Sequence, residues 1–173
     1  MRTQIVIIGS GPAGLLLGAL LTRAGIDNII LDRANKDYIL RRVRAGVLEE
    51  GTAGLIDSAG AGARMRAAGL PHDGFSLAFN GRSHRIDLHA LTGKRVLIYG
   101  QTELTGDLME VREAAGAATI YDAANVLPHS FRGSSPHVTY EKDGTTHRID
   151  CDYIAGCDGY HGVSRKSVPK DAI

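Results

Sequence analysis

The 173-residue sequence predicts an α/β fold, a parallel sheet flanked by helices and interrupted by small antiparallel hairpins. Three observations predict it. Ile5 to Asp32 reads I-V-I-I-G-S-G-P-A-G-L-L-L-G-A-L-L-T-R-A-G-I-D-N-I-I-L-D: apolar strand, glycine turn, apolar helix, second apolar strand. Tyr153 to Ala155 is another short apolar run, leading through G-C-D-G-Y-H-G-V-S-R into a helix. Between them, Asn80–Gly81 and Asp143–Gly144 each divide two alternating runs, which signals tight hairpins.

The elements follow in order. Ile5 to Ile8 suits one buried strand, and Gly9, Gly11 and Gly14 follow at G-x-G-x-x-G spacing. Pro12 suits the first helical turn, where its missing N–H costs nothing. Gly25 caps that helix before the strand Asn28 to Leu31, which ends at Asp32. Arg41, Arg42 and Arg44 then form a basic cluster, open to two readings: a solvated helix face or a phosphate contact. Gly51 to Gly69 reads as two short helices broken around Gly60–Gly62, and Pro71 ends the second. His72, taken by itself, reads as a surface or capping residue near a turn.

Phe75, Leu77 and Phe79 alternate on one face, and His84 to Leu88 is the returning strand. Val96 to Tyr99 is a short apolar strand. Gln101 and Thr102 precede a helix from Glu103 to Ala115 with Leu104, Leu108, Val111 and Ala115 on one stripe. Gly116 stops it. Thr119 to Tyr121 is a brief strand; Asn125 to Phe131, His137 to Lys142 and Thr146 to Ile149 complete the antiparallel set. No internal repeat is present.

The first motif carries chemistry. Gly9 takes the tight turn, Gly11 lets a pyrophosphate reach the backbone, and Gly14 lets the helix lie close to the sheet. The helix N-terminus offers N–H groups and a positive dipole end to that phosphate. Asp32 stands 18 residues beyond Gly14, where a carboxylate binds ribose hydroxyls. A carboxylate there repels a 2′-phosphate, so the site suits FAD or NAD rather than NADP. In the second loop, Asp158 is placed to accept a hydrogen bond from a ribose or ribityl hydroxyl, with Gly156, Gly159 and Gly162 allowing close backbone approach.

Composition bounds the rest. The chain is 43% apolar and 23% charged, ordinary for one globular domain. Net charge is +1, so no global field favours nucleic acid or an anionic membrane. The apolar run of the first helix is broken by Thr22, Arg23 and Asp27, too early for a bilayer span, and Met1 leads directly into a strand with no room for a signal peptide. Cys151 and Cys157 fit no zinc spacing and read as two reduced thiols of a cytoplasmic protein.

The second loop, together with A-G-I-D-N, R-A-G-V-L-E, R-I-D-L, Y-G-Q-T-E, D-L-M-E and D-C-D-Y-I-A-G-C-D-G, resembles the flavin-dependent aromatic hydroxylases, most closely the branch acting on 4-hydroxybenzoate. The likeness runs from Arg2 to about Val168. It implies a Rossmann-like FAD-binding domain over residues 1–173, with NADPH and O2 as co-substrates and a possible homodimer. Gly9, Gly11, Pro12, Ala13 and Gly14 would hold the FAD pyrophosphate, and Asp32 the adenosine ribose. Arg42, Val43, Arg44, Ala45, Gly46 and Val47 would run beside the pyrophosphate and flavin ring. Gln101 and Asp158 would contact the phosphate–ribityl portion. Arg33, Tyr38, Arg42, Arg44 and His161 match positions implicated in NADPH use, and His72 matches the outer end of a relay that deprotonates the substrate phenol.

Two residues depart from the family pattern: Asp32 stands where Glu is common, and Ala13 where Ser is frequent. Family members are also longer. Their later half supplies a Gly-Asp flavin motif and the aromatic pocket, so the expectation is an N-terminal portion that does not turn over alone. An NAD-dependent dehydrogenase and a non-catalytic nucleotide-binding module are the rival readings. The acid of the second loop disfavours the first, since a simple dehydrogenase needs no second sugar-binding carboxylate there.

Overall fold

The structure, a computed structural model, describes residues 1–42 and 45–170. The chain opens with β1 (Ile5–Ile8), α1 (Pro12–Arg23) and β2 (Asn28–Leu31), the predicted strand–helix–strand unit. Next come α2 (Lys36–Arg41), β3 (Val47–Glu49), α3 (Glu50–Ser58), α4 (Gly62–Ala68) and β4 (Leu70–His72). A hairpin of β5 (Gly74–Phe79) and β6 (Arg82–Asp87) follows, then α5 (Leu88–Thr92), β7 (Val96–Ile98) and α6 (Gln101–Ala114). The last part is β8 (Thr119–Ile120), β9 (Ala124–His129), β10 (His137–Lys142), β11 (Thr145–Asp150), β12 (Tyr153–Gly156) and α7 (Val163–Ser167).

The central sheet is parallel, in the order β12-β1-β2-β8. The apolar runs of β1 and β2 do not alternate in chemistry, yet their side chains still alternate between faces. Ile7 and Ile30 enter a core with Leu15 and Ala19 of α1 and Leu104, Leu108 and Met109 of α6. Val6, Ile8, Ile29 and Leu31 enter a second core with Val138 and Tyr140 of β10 and Ile149 of β11. One continuous run therefore feeds both layers, and each fully buried Ile or Leu contributes about 2 kcal/mol by leaving water. The antiparallel sheet β11-β10-β9 covers one face, and the helices cover the other.

Several boundaries differ from the sequence expectation. α6 begins at Gln101, not Glu103, because Gly100 takes the N-cap position. β3, β4 and α5 were not anticipated; three to five residues carry too little periodicity to be read. His72 lies in β4, paired with Val96, and not in a turn. The hairpin returns at Arg82, so its turn is Asn80–Gly81 alone, at φ 47° and 72°, the mirror-type turn that suits strand twist. Phe75, Leu77 and Phe79 alternate as expected but are all at least 44% exposed. No helix among the described residues is long and apolar enough to cross a membrane.

Candidate functional site

Register builds the site. Ile8 lies opposite Gly156 on one side and Leu31 on the other. The next residue of each strand is Gly9, Cys157 and Asp32, so three loops leave the sheet at one level. Backbone bonds lock them there: the Gly9 N–H donates to the Leu31 carbonyl (2.8 Å), and the Cys157 N–H to the Ile8 carbonyl (2.7 Å). Gly9 has φ +106°, and a Cβ there would stand 2.5 Å from the Cys157 carbonyl oxygen. Only glycine meets both demands. At Gly14 a Cβ would collide with the Gly9 carbonyl. At Gly11 it would meet nothing within 4 Å, so that position opens outward.

Gly11 is also the N-cap of α1, with Pro12 following and no side chain capping the helix. Ala13, in the first turn, is exposed. The first-turn N–H groups therefore face the open side of the turn.

Asp32 is held by a residue that sequence reading passed over. Oδ2 accepts from the Ser10 N–H (2.7 Å) and the Ser10 hydroxyl (2.8 Å), and Oδ1 accepts from the Ala34 N–H (2.9 Å). Ser10 is completely buried. A carboxylate offers about four acceptor positions. Three go to protein donors, which fix its orientation and leave capacity for a ribose hydroxyl. A serine between the first two glycines was the one available signal. Asp158 is placed differently: Oδ2 accepts from the Ser164 N–H (3.0 Å) at the start of α7, and its carboxyl packs on Gly162. It reaches forward to the first turn of α7.

A second group assembles at the end of β7. The Tyr99 N–H donates to the Gly46 carbonyl (2.8 Å), and a Cβ on Gly46 would stand 2.6 Å from the Tyr99 carbonyl oxygen. The segment Ala45–Gly46–Val47 therefore runs against Tyr99–Gly100, next to Gln101 at the first position of α6. Val43 and Arg44 lie outside the described residues. Arg33, Tyr38, Arg42 and His161 are exposed. Tyr38 sits on α2, whose N-cap Asn35 accepts the Tyr38 N–H, and Arg42 is the C-cap of that helix. His161 stands edge-on to Tyr160. His72 is exposed at the far end of the β3-β7-β4 sheet: Val47 pairs with Ile98, whereas His72 pairs with Val96.

Parallel strands ending in a glycine turn, a buried-serine acid and a second glycine loop define a dinucleotide-binding α/β domain. The family described as an FAD binding domain matches residues 2–173, and the chain belongs to it. It is 51% identical over 174 residues to p-hydroxybenzoate hydroxylase of Acinetobacter baylyi (strain ATCC 33305 / BD413 / ADP1), covering 100% of this chain and 43% of that protein. It is 31% identical to 6-methylpretetramide 4-monooxygenase of Streptomyces rimosus, covering 99% of this chain and 42% of that one. The chain thus spans less than half the length of these relatives. Among solved structures, the OxyS anhydrotetracycline hydroxylase from Streptomyces rimosus superposes with a TM-score of 0.78 at 23% identity, over 96% of this chain and 33% of that one. At that identity the likeness shows the fold.

FAD is the cofactor of this domain. The residues present fit it: an uncapped twelve-residue helix behind an outward-opening Gly11 suits a pyrophosphate, and an oriented Asp32 beside it suits a ribose.

Proposed function

We propose that the protein is a flavin-dependent 4-hydroxybenzoate 3-monooxygenase. The observation that carries the cofactor half is the convergence of Gly9–Gly14 and Asp32 at one level of the parallel sheet. The substrate half rests on the 51% identity to p-hydroxybenzoate hydroxylase. The balanced reaction is 4-hydroxybenzoate, NADPH, a proton and O2 giving 3,4-dihydroxybenzoate, NADP⁺ and water. FAD held by these residues would supply the redox chemistry between NADPH and oxygen.

This chain's residues bind and orient. Gly9, Gly11, Pro12, Ala13 and Gly14 receive the pyrophosphate, and Asp32 receives the adenosine ribose. Gln101, Asp158 and the segment Ala45–Val47 line the ribityl and ring side, with Val43 and Arg44 preceding that segment. Arg33, Tyr38, Arg42, Arg44 and His161 take the NADPH. His72, exposed on β4, passes the phenol proton to solvent. The working protein is a cytoplasmic homodimer, and residues 1–173 are its FAD-binding portion.

The test is NADPH oxidation by the whole protein. Added 4-hydroxybenzoate is expected to accelerate it and to yield 3,4-dihydroxybenzoate. Oxidation unaffected by any hydroxybenzoate overturns the substrate. The 31% identical relative supports a second reading, a hydroxylase of another aromatic compound, which a substrate panel in the same assay separates.

A further inference from the structure

The end of β7 holds a polar cluster that the cofactor motifs do not account for. Tyr99 is 4% exposed, and its hydroxyl donates to Asp107 Oδ2 at 2.5 Å. Arg64 of α4 donates from Nε to the Tyr99 hydroxyl (3.1 Å), pairs through Nη2 with Asp107 Oδ1 (2.7 Å), and also reaches the Glu103 carbonyl (2.9 Å). Asp107 is itself buried in α6. The consecutive β7 and α6 are thus tied at one phenol to the more distant α4.

Burying a carboxylate is costly unless its oxygens are paired, and here both are. An apolar cluster would hold the same elements together without fixing their angles. Hydrogen bonds of this length are directional, so they orient Tyr99 between α4 and α6. The Tyr99 backbone passes that position on, since its N–H and carbonyl both bear on Gly46. The same residue leads through Gly100 into Gln101.

We propose that Tyr99, Asp107 and Arg64 are positioning residues that set the Ala45–Val47 backbone against Gln101, and so fix one wall of the flavin site. This rests on the FAD-binding reading of these segments. None of the three touches the cofactor; each acts through Gly46 and the start of α6.

The test compares Tyr99→Phe and Asp107→Asn with Ile149→Val, a mild core change in the opposite layer. Each purified protein is titrated with FAD by flavin fluorescence, the visible band of the bound flavin is recorded, and the apo form is melted. Tyr99→Phe and Asp107→Asn are expected to raise the FAD dissociation constant about tenfold, the scale of one lost charge-assisted hydrogen bond, and to shift the band. Ile149→Val is expected to lower the melting temperature and leave constant and band unchanged. Wild-type constant and band in Tyr99→Phe overturn the inference, as does an equal change in Ile149→Val. A wild-type protein that takes up no FAD overturns the cofactor reading as well, which separates the two failures.

Discussion

At the ends of β12, β1 and β2, the loop backbone is placed by strand register and by glycines that admit no side chain. At the end of β7 it is placed by side chains: a phenol, a carboxylate from the helix that follows and a guanidinium from the more distant α4. The first corner is locked through main-chain bonds such as Gly9 N–H to Leu31 and Cys157 N–H to Ile8. The second depends on groups that a single substitution can remove. The difference teaches that loops of one domain can be held in place for two reasons, and that the two should fail differently when disturbed.

The largest effect is expected at Gly9→Val. It combines φ +106° with a clash against Cys157, so both loops must move. Urea unfolding should show a loss of about 4 kcal/mol or more, with FAD uptake abolished. A well-folded, FAD-binding Gly9→Val would break the claim that register and glycine fix this corner.

Asp32→Ala comes next. It strips the acceptor from the buried Ser10 N–H and hydroxyl and from the Ala34 N–H, at about 3 kcal/mol. Asp158→Ala removes only one bond to the first turn of α7, at about 1 kcal/mol. Denaturant melts of the two variants should keep that order, and the reverse would show that the second loop leans on its acid more than the first. Asp107→Ala should cost about 2 kcal/mol, since Arg64 is half exposed and regains water. A cost above that of Gly9→Val would make the side-chain corner the tighter one.

The smallest effect at neutral pH is an alkaline limb. Burial first, and the Asp107 carboxylate second, push the Tyr99 phenol up from 10.0 to about 12. The folded state then keeps a proton that the unfolded chain loses, so Tyr99's contribution is complete below pH 10 and declines as pH rises to about 12. Melting wild type and Tyr99→Phe across that range should show the decline shallower in the variant. Equal slopes would remove the phenol from the account.

Much of the first corner was legible because its signals are local. Gly9, Gly11, Gly14 and Asp32 sit at spacings that the backbone itself dictates, and the Asn80–Gly81 and Asp143–Gly144 turns declare their own geometry. Ser10 was visible but mute, since its meaning depends on where Asp32 arrives from the neighbouring strand. Asp158 was placed on the right loop, yet its bond to the Ser164 N–H depends on the turn that starts α7. Short β3 and β4 left no periodic trace, so His72 read as a surface or capping residue near a turn; it is at the surface, but on a strand.

The sequence by itself determined the parallel unit, the glycine turn, the acid after β2 and the hairpins, because each is written in neighbouring residues through backbone sterics and side-chain alternation. Only the tertiary structure decided that Ser10 clamps Asp32, that Asp158 turns to α7, and that Tyr99 meets Asp107 and Arg64. The Ser10–Asp32 and Arg64–Tyr99 pairs join residues 22 and 35 apart in the chain, and the nearer Asp158–Ser164 and Tyr99–Asp107 pairs depend on how a loop turns into a helix; a hydrogen bond is decided by ångströms.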